Sequence, residues 1–139
     1  MIDRTDLARP PVSVLTVDDH EPFRIAARAL LLATPGFVSL GEATSGEEAI
    51  ALARALRPDL VLLDVNMPGL DGIETSRQLT AALIGTVVIL VSTEDDSASS
   101  MEIASCGAAA FIRKQDLSAS VLRSLWAGHA GDPKDRRTR

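Results

Sequence analysis

The chain has 139 residues, 46% of them apolar and 24% charged, with one cysteine and a formal net charge of -5. Such values fit a single globular domain that buries roughly two-thirds of its unfolded surface, and they exclude a disordered chain or a disulfide scaffold. The acidic balance, with no tyrosine and one tryptophan, argues against direct nucleic acid binding. No apolar run approaches the ~20 residues that span a bilayer, and the first ten residues are too polar for a signal peptide, so a soluble cytoplasmic protein is expected.

In chain order, residues 12–17 predict a first strand and 22–33 an amphipathic helix with Phe23, Ala26, Ala27, Leu30 and Leu31 in register. Residues 38–41 predict a second strand. Ser45 opens the next helix, with Glu48 as its capping-box partner and Ala49, Leu52, Ala53 and Leu56 as its stripe. Strands over 60–63, 86–91 and 109–112 alternate with helices over 72–83, 97–106 and 118–127, the last ending at Gly128 or Gly131 ahead of Pro133. This is an α/β pattern, (βα)5: a doubly wound, flavodoxin-like parallel sheet of order 2-1-3-4-5 with helices on both faces. Residues 1–10 read as an N-terminal tail, 11–130 as the domain, and 131–139 as a basic tail or linker remnant.

Open α/β sheets bind ligands beyond the carboxyl ends of their strands, so the residues ending each strand decide the chemistry. Strand 1 ends in Asp18-Asp19, strand 3 in Asp64, strand 4 in Ser92 and strand 5 in Arg113-Lys114, while strand 2 offers no comparable group. Strands 1 and 3 flank the switch point, so their three aspartates converge. Like charges at close range raise one another's pKa, and a hard divalent cation relieves this. Oxygen-only ligands favour Mg²⁺, with Mn²⁺ as the alternative; His20, His129 and Cys106 make no zinc cluster. With Ser92 and Lys114 added, the site suits a phosphoryl group, and Asp64 at its centre is the nucleophile for an aspartyl phosphate. Pro68-Gly69 turns the chain after strand 3, leaving the Asn66 carbonyl free to face the site.

The segments VDDHEPF, LVLLDVNMPGLDGIE, VILVST and GAAAFIRKQDL, in this order, make residues 12–127 resemble the receiver domain of bacterial two-component response regulators. The resemblance implies that Asp64 accepts a phosphoryl group from a sensor histidine kinase or a histidine phosphotransfer protein. It also implies that Asp19 and Asp64 ligate the metal with the Asn66 backbone carbonyl, Asp18 acting through water. Ser92 and Lys114 would then contact the phosphoryl oxygens, and Phe111 would be a switch aromatic moving with Ser92. Gln115 replaces the proline that many members carry, as in the subfamily similar to nitrate-response regulators. Members of that subfamily usually add a DNA-binding helix-turn-helix, for which 139 residues leave no room, so a stand-alone receiver is expected, its output a downstream protein target. Thr93 is bulkier than the Ala or Gly often found in the family and would hinder access by water or small donors, whereas the Asn66/Glu94 pair resembles that of the fast-turnover chemotaxis regulator. The two oppose each other and fix no phosphate lifetime.

Simpler readings stand beside these. Asp18-Asp19 alone is a strand end and cap, Ser92 a turn residue, Lys114 a solvated lysine and Phe111 plain core. His20 reads as an exposed loop residue and Cys106 as a small buried hydrophobe. The four serines in residues 97–106 predict a helix of weak local stability that moves with strand 5 on phosphorylation. Rival functions are a docking module that no longer takes phosphate and a Mg²⁺-dependent aspartyl-nucleophile phosphatase. The latter prefers D-x-D, but Asn66 stands two residues after Asp64 and cannot act as an acid. The protein is expected to be no enzyme in the ordinary sense, catalysing only its own phosphorylation and dephosphorylation. It is expected to be a monomer or a weak homodimer through helices 1 and 5 or through helix 4 and strand 5, neither face having an apolar stripe long enough to decide.

Overall fold

The computed structural model describes residues 10–93 and 100–129. Within them the elements are β1 (Val12–Val17), α1 (Glu21–Ala33), β2 (Phe37–Ala43), α2 (Gly46–Leu56), β3 (Leu60–Asp64), α3 (Gly72–Ala82), β4 (Val87–Ser92), α4 (Ser100–Ser105), β5 (Ala110–Arg113), a 3-10 turn (Lys114–Asp116) and α5 (Ala119–His129). The five strands are parallel in the order β2-β1-β3-β4-β5, as expected. The front of the helix predicted over 97–106, the residues Glu94 to Ser99, and the two predicted tails apart from Pro10 lie outside the described residues.

Alternating side chains divide the core in two. Leu15, Val17, Val61, Leu63, Val88 and Leu90 meet Ala49, Ala53 and Leu79 of α2 and α3, with Ile103 of α4 and Cys106 beyond them. Val14, Leu60, Leu62, Ile89 and Val91 meet Leu31 of α1 and Leu122 of α5 on the other face. Both faces of β3 are covered, which is why its sequence is a continuous apolar run ending in one carboxylate.

Register is fixed at the end of the sheet away from the aspartates. Asp59 Oδ2 accepts hydrogen bonds from the Ser13 backbone N–H (2.9 Å) and hydroxyl (3.1 Å), tying the start of β3 to β1. Strand β2 runs two residues past its expected end, because a register shift between Val14 and Leu15 lets the chain continue through Gly41. Strands β4 and β5 sit one residue later than predicted, so Ser92 and Arg113 pair within the ladder. On α1, Pro22, Ile25, Ala26, Ala29 and Leu32 are exposed along one side. Helical spacing shows only that these residues share a side; the core takes Ala27 and Leu31 instead.

Candidate acidic phosphoryl site

The loop after β3 is short and held at both ends. Gly69 has φ 78°, a left-handed conformation that glycine adopts without steric cost. Asp71 caps α3 by accepting the Glu74 N–H at 2.9 Å, and the Gly72 N–H donates to the Val65 carbonyl. A side chain at Gly72 would lie 2.3 Å from the Asp64 carbonyl oxygen, so only glycine lets α3 begin this close to the end of β3. The same economy is seen at α2, where Ser45 Oγ accepts the Glu48 N–H at 3.1 Å. Glu48 reaches back to the Thr44 N–H, one residue earlier than the capping box expected from the sequence.

These constraints bring Asp18, Asp19 and Asp64 together, with one carboxylate oxygen from each lying within 4.8 Å of the others. Asp18 is fully buried, Asp64 is 5% exposed and Asp19 faces solvent. Lys114 Nζ lies 2.5 Å from Asp18 Oδ2 and 3.8 Å from Asp64 Oδ1. The Asn66 N–H donates to Asp64 Oδ1 at 3.3 Å, and Asn66 Nδ2 reaches Ser92 Oγ at 3.4 Å, so one asparagine links acceptor and hydroxyl. Asp64 continues the parity of Leu60 and Leu62, and Ser92 that of Val88 and Leu90, so they leave the sheet on opposite faces and meet at its rim.

Burial, then the neighbouring Asp18 carboxylate, push Asp64 up to about 6, against the opposing pull of Lys114 and the Asn66 N–H. Three carboxylates and one ammonium leave two negative charges, the complement of a divalent cation, and all the donors are hard oxygens. The residues therefore fit Mg²⁺, with Asp19, Asp64 and Asp18 at hand to hold it.

All four of Asp18, Asp19, Asp64 and Lys114 are brought together as expected, and Asn66 and Ser92 join them through hydrogen bonds. Phe111 is half-buried against the α2–α4 core and pairs with Leu90, two residues before Ser92. His20 is exposed as expected, but it is also the N-cap residue of α1, and its N–H donates to Asp18 Oδ1 at 2.8 Å. Two further contributors were not legible as site residues. Arg24 Nη1 donates to the Asp18 carbonyl at 2.8 Å and its Nε lies 3.5 Å from Glu42 on β2. Phe23, read from periodicity as an ordinary core position, places its ring centroid 4.7 Å from Lys114 Nζ. The signal available was the position of both residues in the first helical turn after the Asp18-Asp19 pair.

Comparison with known proteins matches residues 14–124 to the response regulator receiver domain. The chain is 33% identical over 123 residues to the transcriptional regulatory protein LiaR of Bacillus subtilis, covering 88% of this chain and 58% of LiaR. It is 32% identical over 122 residues to the nitrate/nitrite response regulator NarL of Escherichia coli, covering 88% and 56%. The chain thus spans a little over half the length of these curated relatives. Among solved structures, the signal receiver domain of a NarL response regulator from Mycobacterium tuberculosis superposes with a TM-score of 0.78 at 31% identity, over 88% of this chain and 99% of that one. The response regulator domain of Thermotoga maritima CheB gives 0.76 at 29% identity, with the same coverage. A doubly wound sheet of order 2-1-3-4-5, an acidic rim facing a lysine, and a family match over most of its length together identify the chain as a receiver domain of the two-component response regulators.

Proposed function

We propose that the domain takes a phosphoryl group onto Asp64 from a phosphohistidine donor and then changes its affinity for a partner protein. The observation that carries this reading is the setting of Asp64: central, nearly buried, 3.8 Å from an ammonium, beside two further carboxylates and raised only to about 6, so that it is largely ionised at neutral pH. In the transfer, an Asp64 carboxylate oxygen bonds to phosphorus as the P–N bond of the donor breaks, and the electron pair returns to the imidazole nitrogen. Lys114 neutralises charge on the phosphoryl oxygens, and Ser92 donates its hydroxyl to another. Asp19 and Asp64 would hold Mg²⁺, with the Asn66 carbonyl as a further donor and Asp18 acting through water; when bound, the ion would supply neutralisation of the phosphoryl charge. The domain acts once on itself for each donor molecule and turns over no separate substrate.

Movement of Ser92 and Lys114 toward the phosphoryl group would bias α4, β5 and Phe111, which packs with Ile103 of α4 against one core cluster. Hydrogen exchange across residues 100–113 reads this directly, with faster or slower exchange expected on adding beryllofluoride and Mg²⁺. The reaction itself is tested by incubating the protein with Mg²⁺ and acetyl phosphate and recording intact mass. A gain of about 80 Da in the wild type and none in Asp64→Asn supports acceptance at Asp64. No adduct in a protein that nonetheless binds beryllofluoride would exclude acetyl phosphate as a donor; failure of both would leave docking as the function.

A further inference from the structure

A lysine at the rim of an acidic pocket needs more than charge to keep its place. Its side chain carries about 2 kcal/mol of rotamer entropy, and a carboxylate attracts the ammonium without fixing the path of the stem. In this protein the Lys114 side chain is only 13% exposed, and three groups bound its ammonium. Asp18 lies on one side, Asp64 on a second, and the Phe23 ring on a third, its centroid at 4.7 Å. That distance is inside the ~6 Å range over which an aromatic face attracts a cation, and exclusion of water strengthens the attraction.

Phe23 is tied to the same corner by its neighbours. Next to it, Arg24 donates to the Asp18 carbonyl, while the N-cap residue His20 donates its N–H to Asp18 Oδ1. The first turn of α1 therefore holds the acidic loop and the ring as one unit. Ala27 and Leu31, both buried, anchor α1 to the core; Phe23, one turn nearer the pocket, packs against the same core only half-buried, with its ring beside the Lys114 ammonium.

We propose that Phe23 is a positioning residue for Lys114, its ring holding the ammonium between Asp18 and Asp64 so that the lysine is in place when Asp64 gains charge. A leucine would fill much of the same volume but offers no negative face. This inference rests on Asp64 being the acceptor, and its test has one arm that does not.

The chain has two lysines, Lys114 and Lys134, so lysine-labelled full-length protein gives two ε-methylene NMR signals, assigned with Lys134→Arg. Stacking on Phe23 predicts an upfield ring-current shift for Lys114, lost in Phe23→Leu and restored in Phe23→Tyr. In the second arm, labelling by acetyl phosphate with saturating Mg²⁺ slows about fivefold in Phe23→Leu, the equivalent of a cation–π contact, and recovers in Phe23→Tyr. Phe23→Met replaces Phe23→Leu if the latter does not fold. An unshifted Lys114 signal in the wild type overturns the proposal, and so does labelling of the leucine or methionine variant at the wild-type rate. If the wild type takes no phosphoryl group, the acceptor reading fails, while the NMR arm still decides whether Phe23 positions the lysine.

Discussion

Replacing Asp64 by Asn should make the protein more stable at neutral pH, because the acceptor carboxylate is held in a place that disfavours its charge. Its pKa is raised from an ordinary 3.8 to about 6, by burial first and by Asp18 second. At about 1.4 kcal/mol per unit the ceiling is about 3 kcal/mol, and solvent at the open mouth of the pocket reduces this to about 1–2 kcal/mol. The sign follows from proton binding: between pH 4 and about 6 the folded state holds more protons than the unfolded chain, so stability falls as pH rises through that window. Asn is neutral throughout and escapes the loss. In metal-free buffer above pH 7, Asp64→Asn should melt about 3–6 °C higher than the wild type, with the gap closing toward pH 4. The single tryptophan, Trp126, packed at the α1–α5 face, reports the transition by fluorescence. Mg²⁺ should raise the wild-type midpoint and narrow the gap, since binding to the folded state alone stabilises it. Equal midpoints at pH 7.5, or a gap that does not change with pH, would refute the reasoning.

Three other outcomes follow from the same geometry. Lys114→Met leaves the buried Asp18 carboxylate without its counter-charge and should lower unfolding stability by about 3 kcal/mol in urea titration, with most of the loss recovered by adding Asp18→Asn. Gly72→Ala places a methyl 2.3 Å from the Asp64 carbonyl oxygen and 2.6 Å from Val65 Cα; it should cost about 3 kcal/mol by thermal melting, and a variant as stable as the wild type would contradict the close approach of α3 to β3. The initial rate of acetyl phosphate labelling, followed by mass at fixed low Mg²⁺, should fall as pH drops through about 6 and Asp64 takes up a proton, and added Mg²⁺ should move that midpoint lower.

The sheet was legible because its signals are local: β-branched runs bounded by turns, and polar residues that punctuate them. Asp18, Asp19, Asp64, Ser92 and Lys114 could be placed on one rim before any coordinates, since parallel strands of similar length bring their C-terminal residues to a common edge. What escaped depends on side-chain geometry across elements. Periodicity assigns Phe23 to the buried side of α1 and says nothing of a lysine more than ninety residues later whose ammonium settles over the ring. Arg24 looks like any solvated arginine until β2 brings Glu42 to it, and β2 was read short because Gly41 marks an irregularity within the strand rather than its end. Ala26, which helical spacing groups with Ala27 and Leu31, is exposed for a related reason: the sheet has room for only one side of the helix.

Asp18 belongs to the first strand's end, whereas the cation that neutralises it follows the last strand. The acidic rim built by β1 and β3 therefore has its balancing ammonium only when β5 is docked beside β4 at the edge of the sheet. Loosening of that edge strand would leave the buried Asp18 carboxylate uncompensated, so the docking of β5 and the charge state of the pocket are thermodynamically linked.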